Sequence, residues 1–368
     1  MKKTSLDKDR SQHRAGMARW MNDQGRKHRL YGGTGKAKKS SRGLSGYRRL
    51  KIFAPPMISI YDFNAERSDA YSRTMQFLAD IKKDFRRENC FVDFSETVAV
   101  TAAAIIVVYA AIEQAGAGRK GKAEIIWSKS ERVNRQLRLS NVSRLIRGHT
   151  ISYALDSVSH MPIVSSVGGE MSDDIVDFIQ NRIYADMSAD TEHAYGDAVS
   201  ETINNVGWHA YPKSKDGEKK WWLICHTNGK QLYLAIYDTG VGIPKTVIER
   251  RWFFEAFKFS YPQEFQDLMA ENPGKSSHLL SAIAPAQISD AELIGMSMRG
   301  DVSGTKVDKR GQGSKSILKL VEDTSGGLLW VFSNNGVYKF DQAVKKPNMY
   351  ALPMQFPGTL VQWNIELP

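Results

Sequence analysis

Hydrophobic and polar positions change texture twice along the 368-residue chain. Up to about residue 51 large apolar residues are few, Trp20, Met21 and Tyr31 among them, scattered through Lys, Arg, Gly and Ser. Such a segment buries too little surface to offset its chain entropy, which predicts a disordered or transiently helical arm. After Pro55-Pro56 strand-like and helix-like patterns alternate. MISIYDF reads as a strand, and residues 68–88 as an amphipathic helix with Tyr71, Met75, Leu78, Ile81 and Phe85 at spacings of three and four. CFVDFS and AEIIWS read as strands on either side of a buried helix, VTAAAIIVVYAAIEQAG, which ends near Gly116. A basic helix is predicted over 131–147, and the alternation predicts a small α/β domain over 52–165.

From about residue 170 the order changes. SDDIVDFIQNRI and HAYGDAVSETINNVGWHAYP predict helices, and KWWLICHTNGKQLYLAIYDTGVGIP two strands joined by a tight turn at Asn228-Gly229. SKSILKLVEDTSGG predicts a helix stopped by glycine. LLWVFSNNGVYKF predicts a second hairpin turning at Asn335-Gly336, and GTLVQWNIELP a final strand.

Charge sharpens the division. The net charge of +11 resides in the arm, where residues 1–51 hold 16 Lys and Arg against three Asp; the rest carries 35 basic and 37 acidic residues. A polybasic arm with interspersed aromatics suits nucleic-acid phosphates, and a solubilising or partner-docking tail is the alternative. Two distant cysteines, Cys90 and Cys225, have neither disulfide-framework nor metal-ligand spacing. The longest apolar run, about 98–112, is too short for a bilayer, and no apolar leader precedes it. These features predict a cytoplasmic protein without a membrane partner.

Four stretches in the second half carry candidate chemistry. In ETINNVGWHAYP, Glu201 and Asn205 lie four apart and share a helix face, as does His209 a further four on. A solvated face, with His209 packed on Trp208 or Tyr211, is the plain alternative. YDTGVGIP sets Asp238 at the end of an apolar strand, followed by Gly240 and Gly242. A buried carboxylate needs a partner, for which a purine amine is suited, and the glycines let backbone approach a ligand; a simple tight turn competes. KRGQGSKSILKL opens a helix with Gly311 and Gly313, followed by Ser314 and Lys315, where backbone N–H groups favour phosphate. FPGTLVQW begins the last strand at Thr359, read alone as a turn into an edge strand.

Taken in order, Glu-x-x-x-Asn, Asp-x-Gly-x-Gly, Gly-x-Gly and Gly-Thr resemble the GHKL superfamily of Bergerat-fold ATPases and kinases. The resemblance covers about residues 170–368. It implies Mg²⁺ and ATP as cofactors, with Glu201 polarising the attacking water or hydroxyl and Asn205 holding the metal. Asp238 would take the adenine amine, Gly240 and Gly242 would lie beneath the base, and Gly311, Gly313, Ser314 and Lys315 would wrap the phosphates. Thr359 would support the adenine end, and His209 would face the phosphates. The His-Ala-Tyr after Asn205 is most similar to anti-sigma-factor serine kinases. Those kinases act on STAS proteins, and VDFSETVAVTAAAIIVVYAAIE resembles a STAS domain. In that family the loop before the helix carries a phosphorylated Ser. Here Val100-Thr101-Ala102-Ala103 stands there, and Thr101 reads as the helix N-cap.

The expected fold is therefore α/β. A C-terminal two-layer sandwich of Bergerat type over 170–368, with a long lid at about 245–310, follows a STAS-like α/β domain over 52–165 and the arm over 1–51. The lid interval suggests added helices, and FFEAFKFSYPQEFQDLM is expected to offer aromatic surface to a partner or to the nucleotide. The expected function is an ATP hydrolase acting as a nucleotide-gated switch, with a serine/threonine kinase as the alternative. Expected partners are another protein, nucleic acid through residues 1–51, or a second copy. By analogy of architecture alone, stress control, DNA transactions and phage defence are the candidate settings.

Overall fold

A computed structural model describes residues 50–63, 69–86, 89–119, 121–151, 155, 161–168, 172–183, 189–299 and 313–366. The expected arm lies outside them, except that its last two residues, Leu50 and Lys51, already belong to a strand.

The first part alternates strands and helices: β1 (Leu50–Phe53), β2 (Met57–Ile58), α1 (Ala70–Asp84), β3 (Cys90–Asp93), β4 (Ala99–Val100), α2 (Ala102–Gly116), β5 (Ala123–Ile126), α3 (Glu131–Leu139) and α4 (Val142–Ile146). Strands β1, β3 and β5 form a parallel sheet in that order, and β2 pairs with β4. Tyr71, Met75, Leu78, Ile81 and Phe85, the stripe read from the sequence, are all buried. Two expectations are corrected. MISIYDF yields only the two-residue β2, because the Ser59 N–H is taken by Thr74 Oγ1 (3.1 Å) and the Tyr61 N–H by Ser59 Oγ (3.2 Å), which ends the ladder. The basic helix breaks into α3 and α4 at Asn141, whose φ of +62° is left-handed. There Arg138 and Arg147 lie over the Trp127 ring.

The second part comprises β6 (Val164–Val167), α5 (Ser172–Phe178), α6 (Ala189–Asn205), β7 (Lys220–Asn228) and β8 (Gln231–Asp238). Helices α7 (Ile243–Ile248), α8 (Phe253–Ser260), α9 (Pro262–Glu271), α10 (Ser277–Ile283), α11 (Asp290–Arg299) and α12 (Gly313–Glu322) follow, then β9 (Leu328–Asp341) and β10 (Lys346–Glu366). π-helical turns continue α5 over Ile179–Ile183 and α6 over Val206–Ala210. The sheet is antiparallel, in the order β6-β7-β8-β10-β9.

Apolar alternation in β7 explains how this sheet is covered. Trp221, Leu223 and Cys225 point into a core with α5, α6 and α12, whereas Trp222 points into the core of the first part. Tyr237, Phe332, Phe356 and Leu360 join Trp222 against α1 and α2, so the two parts share one continuous core. Helices α7 to α11 have a core of their own, around Val247, Phe253, Phe257, Leu268, Leu280 and Met296. The aromatic run expected to offer surface turns largely inward: Phe253 and Phe257 are buried, and only Phe259, 79% exposed, stands out.

Near the C-terminus two more expectations change. Asn335-Gly336 is not a hairpin turn, since β9 runs through it and the chain reverses at 342–345. Gly336 is needed for another reason, because a Cβ there would lie 2.4 Å from Ala291 N at the start of α11. Strand β10 is not an edge, because it lies between β8 and β9. Among the described residues no helix is long and apolar enough to cross a membrane.

Candidate functional site

Alternation along β8 puts Asp238 on the same sheet face as Leu232, Leu234 and Ile236, the face covered by α6 and α12. Across the ladder Asp238 stands opposite Thr359, and Thr359 stands opposite Ser333. An apolar sheet face thus ends in a row of three buried polar residues, Asp238, Thr359 and Ser333. The Thr359 and Ser333 hydroxyls are 3.0 Å apart, and Ser333 Oγ also accepts the Ile243 N–H at 2.9 Å. Ser333 was missed in the sequence, where a lone serine in an apolar strand carries no signal until the register is known.

Glycines let the backbone close around this row. Gly358, at φ +90°, forms a bulge in β10, and a Cβ there would sit 2.0 Å from the Asp238 carbonyl oxygen. Gly240 has the same need on the other side, where a Cβ would lie 2.2 Å from Ala210 O. The Val241 N–H donates to that same oxygen at 2.8 Å. Gly242, at φ +92°, lies against the Asn334 side chain. Ala210 closes the π-helical turn that begins just after Asn205, so the end of α6 is joined directly to the glycine loop. π-Helical insertions recur at functional sites.

The Asp238 carboxylate accepts the Gly240 N–H at 2.7 Å, its one hydrogen bond among the described residues. Burial pushes its carboxyl up to about 7, partly countered by that hydrogen bond. The folded state therefore holds a proton between about pH 4 and 7 that the unfolded chain has lost. This stabilisation is fully present near pH 4, falls as pH rises, and is gone above about pH 7; it amounts to at most roughly 4 kcal/mol. Asp238→Asn should accordingly gain stability relative to the parent from pH 5 to pH 8. Denaturant melts of both chains at each pH check this, and a difference that does not vary with pH would refute the raised pKa.

The other residues singled out in the sequence fall as follows. Glu201 and Asn205 lie half-buried on α6, at the margin of the face that Val199, Ile203 and Val206 bury. Burial, and next the neighbouring Asp197, raise the Glu201 carboxyl above the usual range. His209 falls within the π-helical turn, where its ring meets Trp208 edge-on at 6.3 Å. Gly313 opens α12, with Ser314 and Lys315 in its first turn, while Gly311 lies outside the described residues. Helix α12 packs along α6 and is tied to the sheet by the Trp363 indole donating to Ile317 O at 3.1 Å. Structure thus unites Asp238, Gly240, Gly242 and Thr359 around one loop. Among the described residues neither Glu201 nor Asn205 hydrogen-bonds to that group. A hollow of about 340 Å³ beside the loop is lined by Lys245, Asp290 and Asn334 among others, but not by Asp238 or Glu201.

Thr101 occupies the N-cap position of α2, as expected, but makes no capping hydrogen bond, and among the described residues its buried Oγ1 has no hydrogen-bond partner. Among the described residues no three His, Cys, Asp or Glu side chains cluster as a metal centre. No protein-family model matches the chain, and no curated protein matches it in sequence.

Proposed function

We propose that the chain is a Mg-ATP-binding ATPase of the GHKL type, with a Bergerat-type nucleotide unit and a STAS-like layer behind it, acting as a nucleotide-gated switch. The observation that carries this reading is the buried Asp238 with one hydrogen bond, flanked by Thr359, Ser333 and two obligatory glycines and joined through Ala210 to the helix of Glu201 and Asn205. Such a carboxylate fits an exocyclic amine, which supplies the donors its environment lacks.

In this arrangement Asp238 and Thr359 hold the base, and the glycine loop shapes the surface beneath it. Asn205 offers one oxygen to the metal, and the first turn of α12 turns its N–H groups toward phosphate. When bound, Mg²⁺-ATP supplies a phosphoryl group whose transfer needs positioning and charge neutralisation. Glu201, its carboxyl raised by burial, takes the proton of the attacking water. Helices α7 to α11, with their own core, form the lid.

Burial of the Thr101 hydroxyl favours hydrolysis over transfer to this chain's own STAS-like layer. ATP labelled at the γ-phosphate tests both outcomes. Release of free phosphate, lost in Glu201→Ala, is the expected result; label on protein would replace the hydrolase with the serine/threonine kinase. Absence of any nucleotide binding would dismiss both.

A further inference from the structure

The last turn of α2 sends two adjacent side chains into the second part of the chain. Glu113 accepts the Trp222 indole N–H at 2.8 Å and the Ser165 hydroxyl at 3.0 Å, and its carboxylate pairs with Lys220 Nζ at 2.7 Å. Gln114 Nε2 donates to Thr239 Oγ1 at 2.7 Å. Thr239 follows Asp238 directly and precedes Gly240, so Gln114 touches the loop assigned to the base.

These contacts close on themselves. The Tyr211 hydroxyl donates to Lys220 O at 2.7 Å and accepts the Thr239 N–H at 2.9 Å. Starting from Glu113, the path runs to Lys220, then Tyr211, then Thr239, then Gln114, which is bonded to Glu113 through the peptide. Burial, and next the nearby Asp238, hold the Tyr211 phenol neutral up to about 12, so it stays a donor over any working pH. Four separate pieces of chain are joined: the end of α2, the start of β7, the residue after the π-helical turn, and the base loop.

We propose that Gln114 is a positioning residue for the base loop, and that through this circuit the STAS-like layer and the nucleotide set each other's state. The proposal rests on the ATP reading above and adds its regulation. Any difference that the position of α2 makes to nucleotide affinity must be matched by an equal effect of nucleotide on α2, since coupling of binding equilibria is reciprocal. Gln114 is exposed, so its bond competes with water, and its removal leaves the core untouched.

The full chain tests this by equilibrium binding of ATP and by hydrogen exchange. Gln114→Ala is expected to weaken ATP binding about two- to tenfold, the range for losing one such hydrogen bond, with the melting temperature of the free protein unchanged. Thr239→Val should weaken binding as well, and the double variant should bind no worse than the weaker single one, because both remove the same link. ATP should slow exchange at residues 110–117 in the parent chain but not in Gln114→Ala. Additive losses, or equal protection of α2 in both chains, would overturn the coupling while leaving ATP binding in place. A parent chain that does not bind ATP would overturn the nucleotide reading itself and the coupling with it.

Discussion

Glu201→Gln is expected to lower ATP turnover by about 10²- to 10⁴-fold, the range for removing a general base, while nucleotide affinity stays within about a factor of three. The substitution keeps the size and the half-buried position on α6 and removes only the basic oxygen. It also relieves the repulsion from Asp197 that helps to raise the carboxyl, so stability should not fall. In the parent chain the protonated acid is inactive, and turnover should rise with pH through the raised pKa of Glu201. Turnover measured at saturating ATP, with binding measured separately, gives the split between the two effects. Unchanged turnover would remove Glu201 from the chemistry even if ATP binds.

Gly358→Ala should be the most damaging single-methyl change to the site. The backbone at Gly358 has φ +90°, and the added carbon would meet the Asp238 carbonyl oxygen at 2.0 Å and Thr239 Cα at 2.7 Å. Both neighbours are backbone, so no rotamer change relieves the clash. Strands β8 and β10 would have to part at the level of Asp238 and Thr359, the pair assigned to the base. A loss of about 3 kcal/mol or more is expected, in the range of strained-backbone and overpacking changes, together with loss of nucleotide binding. Gly229→Ala provides the comparison. It too sits at positive φ, +61°, in the turn between β7 and β8, but a Cβ there meets nothing within 4 Å. Only the conformational cost of about 1–2 kcal/mol remains, and binding should be untouched. Denaturant unfolding and ATP binding on the two variants check the contrast; equal damage would mean that the close approach at Gly358 is not what fixes the site.

Local patterns made most of the elements legible. The three- and four-residue spacing from Tyr71 to Phe85 gave α1, and the Asn228-Gly229 turn joined two strands because Gly229 adopts the positive φ that such turns require. Asn335-Gly336 has the same chemistry and misled, since a left-handed Asn334 can equally serve a bulge in a strand that continues. What separates the cases is the approach of α11, which is distant in sequence. The candidate site follows the same rule. Glu201, Asp238 and the glycines stand out in short stretches, but Ser333 becomes part of the row only through the pairing of β9 with β10. Tyr211 was visible in the His-Ala-Tyr stretch, yet its bond to Thr239 needed the fold.

Consecutive tryptophans at 221 and 222 bear on where this chain divides. One belongs to the core beneath α6, the other to the core shared with α1 and α2. A cut near residue 169 would leave Trp222, Tyr237, Phe332, Phe356 and Leu360 as a contiguous oily surface on water, of the kind that drives self-association. The second part of the chain therefore has no natural border at the seam suggested by sequence resemblance. Recombination at that seam would separate a sheet from half of its own interior.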